Sequence, residues 1–269
     1  MNLIEKIKEK RELSYVDDAL VREYIEEYFK RNPGEKEKVE AGEKKAVKKI
    51  LKSVRNSLRL VYGSFLSRDY LKMDEKLDEL KKKIDTGNTE DALEMHKEIL
   101  RLHASTRERL SFYKDFFEEI FALTGKPSSI LDIGAGLNPV AYPFMGLSDV
   151  EYNAYELNSK DAAFIQKYFD IMKIDGKAEK MDITKDVPSV RADVCFALKL
   201  VDIVDNKTVE RVVRGLDVKF IAASFPTKTV SLRRMNVVRR GGFQRMLARQ
   251  GLSYEKIEFE NELVYVIKK

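Results

Sequence analysis

The residues best suited to chemistry lie in Ile130-Leu131-Asp132-Ile133-Gly134-Ala135-Gly136-Leu137-Asn138-Pro139, where an apolar run enters a glycine-rich turn. Glycine at 134 and 136 leaves no side chain in the way, so a ligand can approach the backbone itself. A dinucleotide site would carry a third glycine; here Pro139 replaces it, and a diphosphate wants an open helix N-terminus at this point. The Asp-x-Gly-x-Gly form suits instead a ligand with an amino group and a carboxylate. Glu156 ends the next apolar run, twenty residues beyond Gly136, where an acid can accept both hydroxyls of a ribose. Asp182 ends the run after that, where a carboxylate can accept from an adenine amino group. Any one of Asp132, Glu156 and Asp182 could merely cap a helix or hold a lysine. Three acids at successive strand ends favour a nucleoside-type ligand.

Such a turn needs a parallel sheet behind it, and the second part of the chain supplies the pattern. After Lys126-Pro127, short apolar runs at Ser129 to Ile133, Tyr152 to Tyr155, Lys177 to Met181, Val194 to Leu198 and Phe220 to Ser224 read as buried strands. Helical patterns from Asp161 to Met172 and Thr208 to Arg214 lie between them, which is the alternation of a parallel sheet covered on both faces. Lys256 to Phe259 and Leu263 to Ile267, joined around Asn261, read as an antiparallel hairpin that finishes the sheet. This is the layout of a class I, Rossmann-like methyltransferase.

The first hundred residues are helical in pattern and offer no good strand. Asp17 precedes a run with Leu20, Val21, Tyr24, Ile25 and Tyr28 at helical spacing, stopped at Asn32-Pro33-Gly34. A second helix carries Val47, Ile50, Leu51, Val54, Leu58 and Val61 on one stripe and turns Lys44, Lys48, Lys52, Arg55 and Arg59 away from it. A third runs from about Leu71 to Ile84, and Asn88 or Thr89 caps a fourth with Ala92, Leu93, His96 and Leu100. The expected division is therefore a helical domain at 1–100 and a catalytic domain at 101–269.

Composition narrows the partners. The chain has 269 residues and a net charge of +5, unevenly spread: Lys44 to Arg68 holds eight basic residues and no acid, and Val218 to Tyr254 holds another eight. One such run reads as a solvated face; two point to a polyanion. One cysteine, Cys195, excludes an internal disulfide, and two histidines, His96 and His103, weaken any metal site. No apolar stretch approaches the length of a membrane span, and the opening residues lack a signal-peptide core, so the expected compartment is the cytoplasm.

Several segments together resemble one family. They are Leu102-His103-Ala104-Ser105-Thr106-Arg107-Glu108-Arg109-Leu110, the Leu131 to Pro139 turn, Lys199-Leu200, Ser224-Phe225-Pro226-Thr227-Lys228 and the closing Glu262 to Lys269. In order and spacing they are similar to the aminoglycoside-resistance 16S ribosomal RNA guanine-N7 methyltransferases, from about His103 to the C-terminus. The helical half matches in layout and basic character. The resemblance implies S-adenosyl-L-methionine as cofactor and a helical domain that docks on the 30S subunit. It implies cofactor contacts from His103, Arg109, Gly134, Gly136, Asn138, Glu156, Asp182, Ile183 and Leu198. RNA contacts fall to Lys48, Lys52, Arg55, Arg59, Lys199, Ser224, Thr227, Lys228, Arg233 and Arg234, with no metal and a monomeric enzyme. The stretch after Lys228 is more basic and less glycine-rich than its family counterpart.

Guanine N7 is a lone-pair nucleophile with no proton to lose, and no acid-base pair stands out in the sequence, so alignment is the expected catalytic device. Two rival readings share the fold. A methyltransferase for a small molecule leaves the basic runs unexplained, one for another RNA stays an alternative, and a non-catalytic RNA-binding or assembly factor leaves the intact turn, Glu156 and Asp182 unexplained.

Overall fold

The computed structural model describes residues 2–62, 66–67, 69–228 and 240–269. Its four opening helices are α1 (Leu3–Lys8), α2 (Asp18–Arg31), α3 (Lys36–Glu40) and α4 (Lys44–Val61). Asp17 caps α2 by accepting from the Leu20 N–H at 2.6 Å, and Pro33 prevents its continuation past Asn32. In α4, Ala46, Ile50, Val54 and Leu58 recur every fourth residue and are buried against α1 and α2. These helices share a small core of their own, touched from the rest of the chain by Leu157.

Four more helices follow: α5 (Met73–Asp85), α6 (Thr89–Leu100), α7 (Ala104–Arg109) and α8 (Tyr113–Thr124). Gly87, at φ +73°, makes the break between α5 and α6, and Asn88 rather than Thr89 caps α6. The expected domain boundary at residue 100 does not follow the packing. Leu77, Leu80, Met95 and Ile99 of α5 and α6 share one core with α8 and one face of the sheet, so the separately packed helical module ends near Tyr62. Amphipathic spacing shows that a helix has an apolar face but not which partner covers it.

The sheet contains β1 (Ser129–Ile133), β2 (Glu151–Glu156), β3 (Gly176–Lys180), β4 (Ala192–Leu198), β5 (Val218–Pro226), β6 (Ser253–Glu258) and β7 (Glu262–Lys268). Their order is β3-β2-β1-β4-β5-β7-β6, with β7 antiparallel to both its neighbours and the other pairs parallel. The order in which strands are added reverses between β1 and β4, and ligands bind at such a switch point on the carboxyl edge of the strands. Helix α9 (Ser159–Met172) covers one face; α10 (Asn206–Gly215) and α11 (Gly241–Arg249) cover the other, where Val209, Val212, Val213 and Leu247 pack on Leu131, Cys195 and Ile221.

Strand β3 departs from its expected buried character. It is an edge strand, paired only with β2, and Lys177, Glu179 and Lys180 are exposed. It ends at Lys180, one residue before the expected Met181, and Asp182 lies in the loop that follows.

Candidate functional site

The turn after β1 is held from below. The N–H groups of Gly134 and Ala135 donate to the Tyr155 carbonyl at 2.9 and 3.2 Å, which ties the turn to β2. Gly134 and Gly136 have φ of +62° and +54°, a region that costs other residues about 1–2 kcal/mol. Space is tight as well: a Cβ at Gly134 would stand 2.8 Å from Leu200 Cδ1, and one at Gly136 would touch the His103 ring at 3.5 Å.

Glu156 reaches back over this turn. Its carboxylate accepts from the Gly136 N–H and, at 2.8 Å, from the Leu157 N–H. Burial pushes its pKa well above the ordinary range, and the nearby Asp161 carboxylate adds to that. Asp132 lies beneath the turn, 1 % exposed, with one oxygen accepting from Asn138 Nδ2 and the Tyr152 hydroxyl, both at 2.8 Å. Its other oxygen has no partner, nor has the buried Oδ1 of Asn138. Burial raises Asp132 from 3.8 to about 6. Two unpartnered acceptors are a standing electrostatic cost that a donor ligand would relieve.

Beyond β3, Asp182 accepts from the N–H and hydroxyl of Thr184 at 2.9 and 2.7 Å. Burial works against its charge, but those bonds and Lys185 outweigh it and hold its pKa below the usual value.

On the opposite side, α7 presents a buried charge cluster. Arg109, 1 % exposed, donates Nε and Nη2 to both oxygens of Glu262 at 2.8 and 2.6 Å. Lys199 Nζ pairs with Glu108 at 2.5 Å and with Glu262 at 3.5 Å. Lys199 also sits at φ +56°, with its N–H donating to Ser224 Oγ and to the Ser224 carbonyl. A left-handed lysine pinned from several sides is backbone strain held at a functional place. His103 caps this helix; burial, with Arg109 next in effect, depresses its pKa to about 3, so its ring is neutral.

The turn, Glu156, Asp182, Arg109 and Lys199 border one cavity of about 440 Å³, with Asp132 and Glu262 behind its wall. His103, Arg109, Gly134, Gly136, Asn138, Glu156, Asp182, Ile183 and Leu198, which β1 to β4 and α7 contribute, line it together. Its size is that of a cofactor pocket. Among the described residues no cluster of His, Cys, Asp and Glu has a metal-binding arrangement.

The residues expected to touch RNA fare differently. Lys48, Lys52, Arg55 and Arg59 line a separate groove with Lys6, Lys10 and Lys44, floored by Val47 and Leu51. Lys48 and Lys52 are exposed. Arg55, however, donates to the carbonyls of Lys6 and Ile7, and Arg59 to Glu12, so both tie α4 to the chain's opening helical turns rather than pointing freely outward. Ser224 is fully buried and holds Lys199, and Lys199, 7 % exposed and ion-paired, lines the cavity at the carboxyl end of β4. Thr227 is partly exposed and Lys228 pairs with Glu260 at 2.7 Å. Arg233 and Arg234 lie outside the described residues.

Sequence reasoning passed over Glu262, Glu108 and the helical-module wall. Glu262 had a visible signal, a carboxylate at the head of the apolar run Leu-Val-Tyr-Val-Ile. The wall formed by Glu23, Tyr24, Glu27 and Tyr62 had none, because nothing local says that α2 folds over the sheet edge.

A family model described as "Ribosomal RNA methyltransferase (FmrO)" matches residues 31–266. A 16S rRNA (guanine(1405)-N(7))-methyltransferase of Frankia casuarinae is 26% identical over 226 residues, which is 81% of this chain and 80% of the relative. A protein of the same name from Proteus mirabilis is 28% identical over 239 residues, covering 82% of this chain and 85% of that one. The crystal structure of 16S rRNA methyltransferase RmtF in complex with S-adenosyl-L-homocysteine superimposes with a TM-score of 0.76 at 19% identity, covering 99% of this chain and 96% of RmtF.

Proposed function

Since this chain belongs to the FmrO family of ribosomal RNA methyltransferases, we propose that it methylates guanine N7 in 16S rRNA, with S-adenosylmethionine as the donor. The relatives' names supply the target atom. The observation that carries the reading is the single cavity in which the Gly134–Gly136 turn, Glu156 and Asp182 meet Arg109 and Lys199.

The residues fit such a cofactor. The unpartnered Oδ1 of Asn138 suits an ammonium group, and the N–H donors of Arg109 and Lys199, which line the cavity, suit a carboxylate. Glu156 suits ribose hydroxyls, and Asp182 with Ile183 suits adenine. When bound, the cofactor supplies a methyl group already activated by its sulfonium. What remains for the chain is to orient the two partners and exclude water. Guanine N7 has no proton to lose, and a neutral, buried His103 has no proton-abstracting duty to perform. The carboxyl ends of β4 and β5, next to each other in register at Leu198 and Ser224, bound the side on which the target base enters. A base presented there must be unstacked or offered by the fold of the rRNA.

The groove with Lys6, Lys10, Lys44, Lys48 and Lys52 serves as the docking face for the 30S subunit, acting on phosphates in a sequence-independent way. The enzyme works as a cytoplasmic monomer; among the described residues no helix is long and apolar enough to cross a membrane. In a decoding-site guanine, the fixed positive charge would repel a cationic aminoglycoside.

Nucleoside mass spectrometry of 30S subunits treated with enzyme and cofactor, followed by mapping of the position, tests this. N7-methylguanosine at one 16S position is expected. N1-methyladenosine, or a methyl group found only on tRNA, rejects the assigned product.

A further inference from the structure

Helix α2 is built into the rim of the cofactor cavity at two points. At its head, Asp17 accepts from the N–H and hydroxyl of Ser159, each at 2.9 Å, and its own N–H donates to Asn158 Oδ1 at 3.0 Å. That segment directly follows Glu156. Further along, Glu23 pairs with Lys185 at 2.5 Å and approaches Lys180 at 4.0 Å, clamping α2 against the loop that carries Asp182 and Ile183. Tyr24 follows Glu23 and lines the same cavity as Asp182, Ile183 and Thr184. Among the described residues the other tyrosines lining it, Tyr62 and Tyr70, have buried rings, and their hydroxyls donate to the buried Asp161 at 2.5 and 2.7 Å.

On the proposed cofactor reading, we infer that Tyr24 is a binding residue contributed by the helical module, its ring stacking on the adenine beside Asp182. A half-buried ring next to an acceptor for an exocyclic amine is the arrangement that recognises a nucleobase by face and edge at once. Burial pushes the Tyr24 phenol up to about 12, with Glu27 and Asp182 adding to the shift, which agrees with a ring turned toward that loop. The helical module then has two roles, because the helix that packs against the basic α4 also closes the adenosine end of the pocket.

The chain contains no tryptophan, so Tyr24→Trp introduces a lone fluorophore. In the full-length protein, S-adenosylhomocysteine and free adenosine should each change its emission, while methionine should not. Phe29→Trp, on the same helix but away from the cavity lining, serves as the comparison and should not respond. Calorimetry of Tyr24→Ala with S-adenosylhomocysteine should show affinity weakened by about tenfold, as expected for losing one base-aromatic stack. Tyr24→Phe should stay within about twofold, because stacking uses the ring and not the hydroxyl. Silence at Tyr24→Trp, an equal response at Phe29→Trp, or undiminished affinity in Tyr24→Ala overturns the inference. Failure of the wild-type chain to bind S-adenosylhomocysteine strikes the cofactor reading itself and is seen in the first titration.

Discussion

Positive charge is gathered in two regions of this protein and used in opposite ways. In the groove of the helical module, Lys48 and Lys52 stand in water on the outer side of α4, above an apolar floor of Val47 and Leu51. At the sheet edge, Arg109 and Lys199 are withdrawn from water and matched by Glu262 and Glu108. Solvated charges act at a distance, are weakened by salt and can be exchanged at little cost to the fold. Desolvated charges are stable only with their partners in place, and there geometry matters more than net sign. One region is built to attract a polyanion, the other to hold a shape.

The largest expected effect breaks the buried side of this comparison. Glu262→Ala leaves Arg109 buried without its bidentate partner and should cost about 3–5 kcal/mol of folding stability. Denaturant melts would read it, and a loss below about 1 kcal/mol would falsify the structural role of the pair. Next comes Gly136→Trp, which fills the cavity from a backbone position at φ +54°. Affinity for S-adenosylhomocysteine should fall by about 100-fold or more, since an occluded pocket loses most of its contact surface. Binding to 30S subunits should persist. Calorimetry on the folded variant with unchanged affinity removes the turn from the binding site.

A smaller effect separates residues within the groove. Lys48→Glu with Lys52→Glu should weaken 30S binding by roughly tenfold near physiological salt and make its salt dependence shallower, with stability unchanged. Arg55→Ala should instead lower stability by about 1–3 kcal/mol, because it abandons the carbonyls of Lys6 and Ile7. Filter binding at several salt concentrations alongside thermal melts tests both. Equal behaviour of the lysines and Arg55 would erase the distinction between a docking face and an internal tie.

The smallest effect concerns pH. Asp132 titrates at about 6 in the folded protein against an ordinary 3.8, so the folded state binds the extra proton between those values. The contribution of Asp132 to the stability of the cofactor-free protein should therefore decline as pH rises through about 4 to 6, against the opposite slope of lowered carboxylates such as Glu262 and Asp193. The raised Glu156 and Asp161 act in the same sense. Asp132→Asn should flatten that part of the profile, and added S-adenosylhomocysteine should flatten it too, by favouring the ionised carboxylates. A slope across this window that Asp132→Asn leaves unchanged contradicts the assignment.

Where a signal was local, it could be read directly. A cap at Asn88 or Thr89 was legible because a cap acts on N–H groups two or three residues away, and the structure selects Asn88. Gly134 and Gly136 were legible because a turn at positive φ is a property of the residue itself. The order of strands and helices followed from alternating patterns, including the antiparallel hairpin at the end. The third strand was expected to run to Met181 and stops at Lys180, because an edge strand lacks the apolar pattern that marks its bounds; Asp182 follows it as expected. For Ser224 and Lys199, the sequence shows polar residues at strand ends but not that β7 brings Glu262 over them.

The sequence by itself therefore determined the class of fold, the glycine turn, the acids at the strand ends and the two basic runs, all of which depend on spacing within a few residues. Tertiary structure alone decided which charges meet. It brought Glu262 to Arg109 across 153 positions, joined α5 and α6 to the sheet rather than to the helical module, and laid α2 along the pocket beside Asp182. Long-range pairing of this kind depends on the shape and burial of surfaces distant in the chain, and a carboxylate destined for burial beside an arginine looks the same in sequence as one destined for solvent.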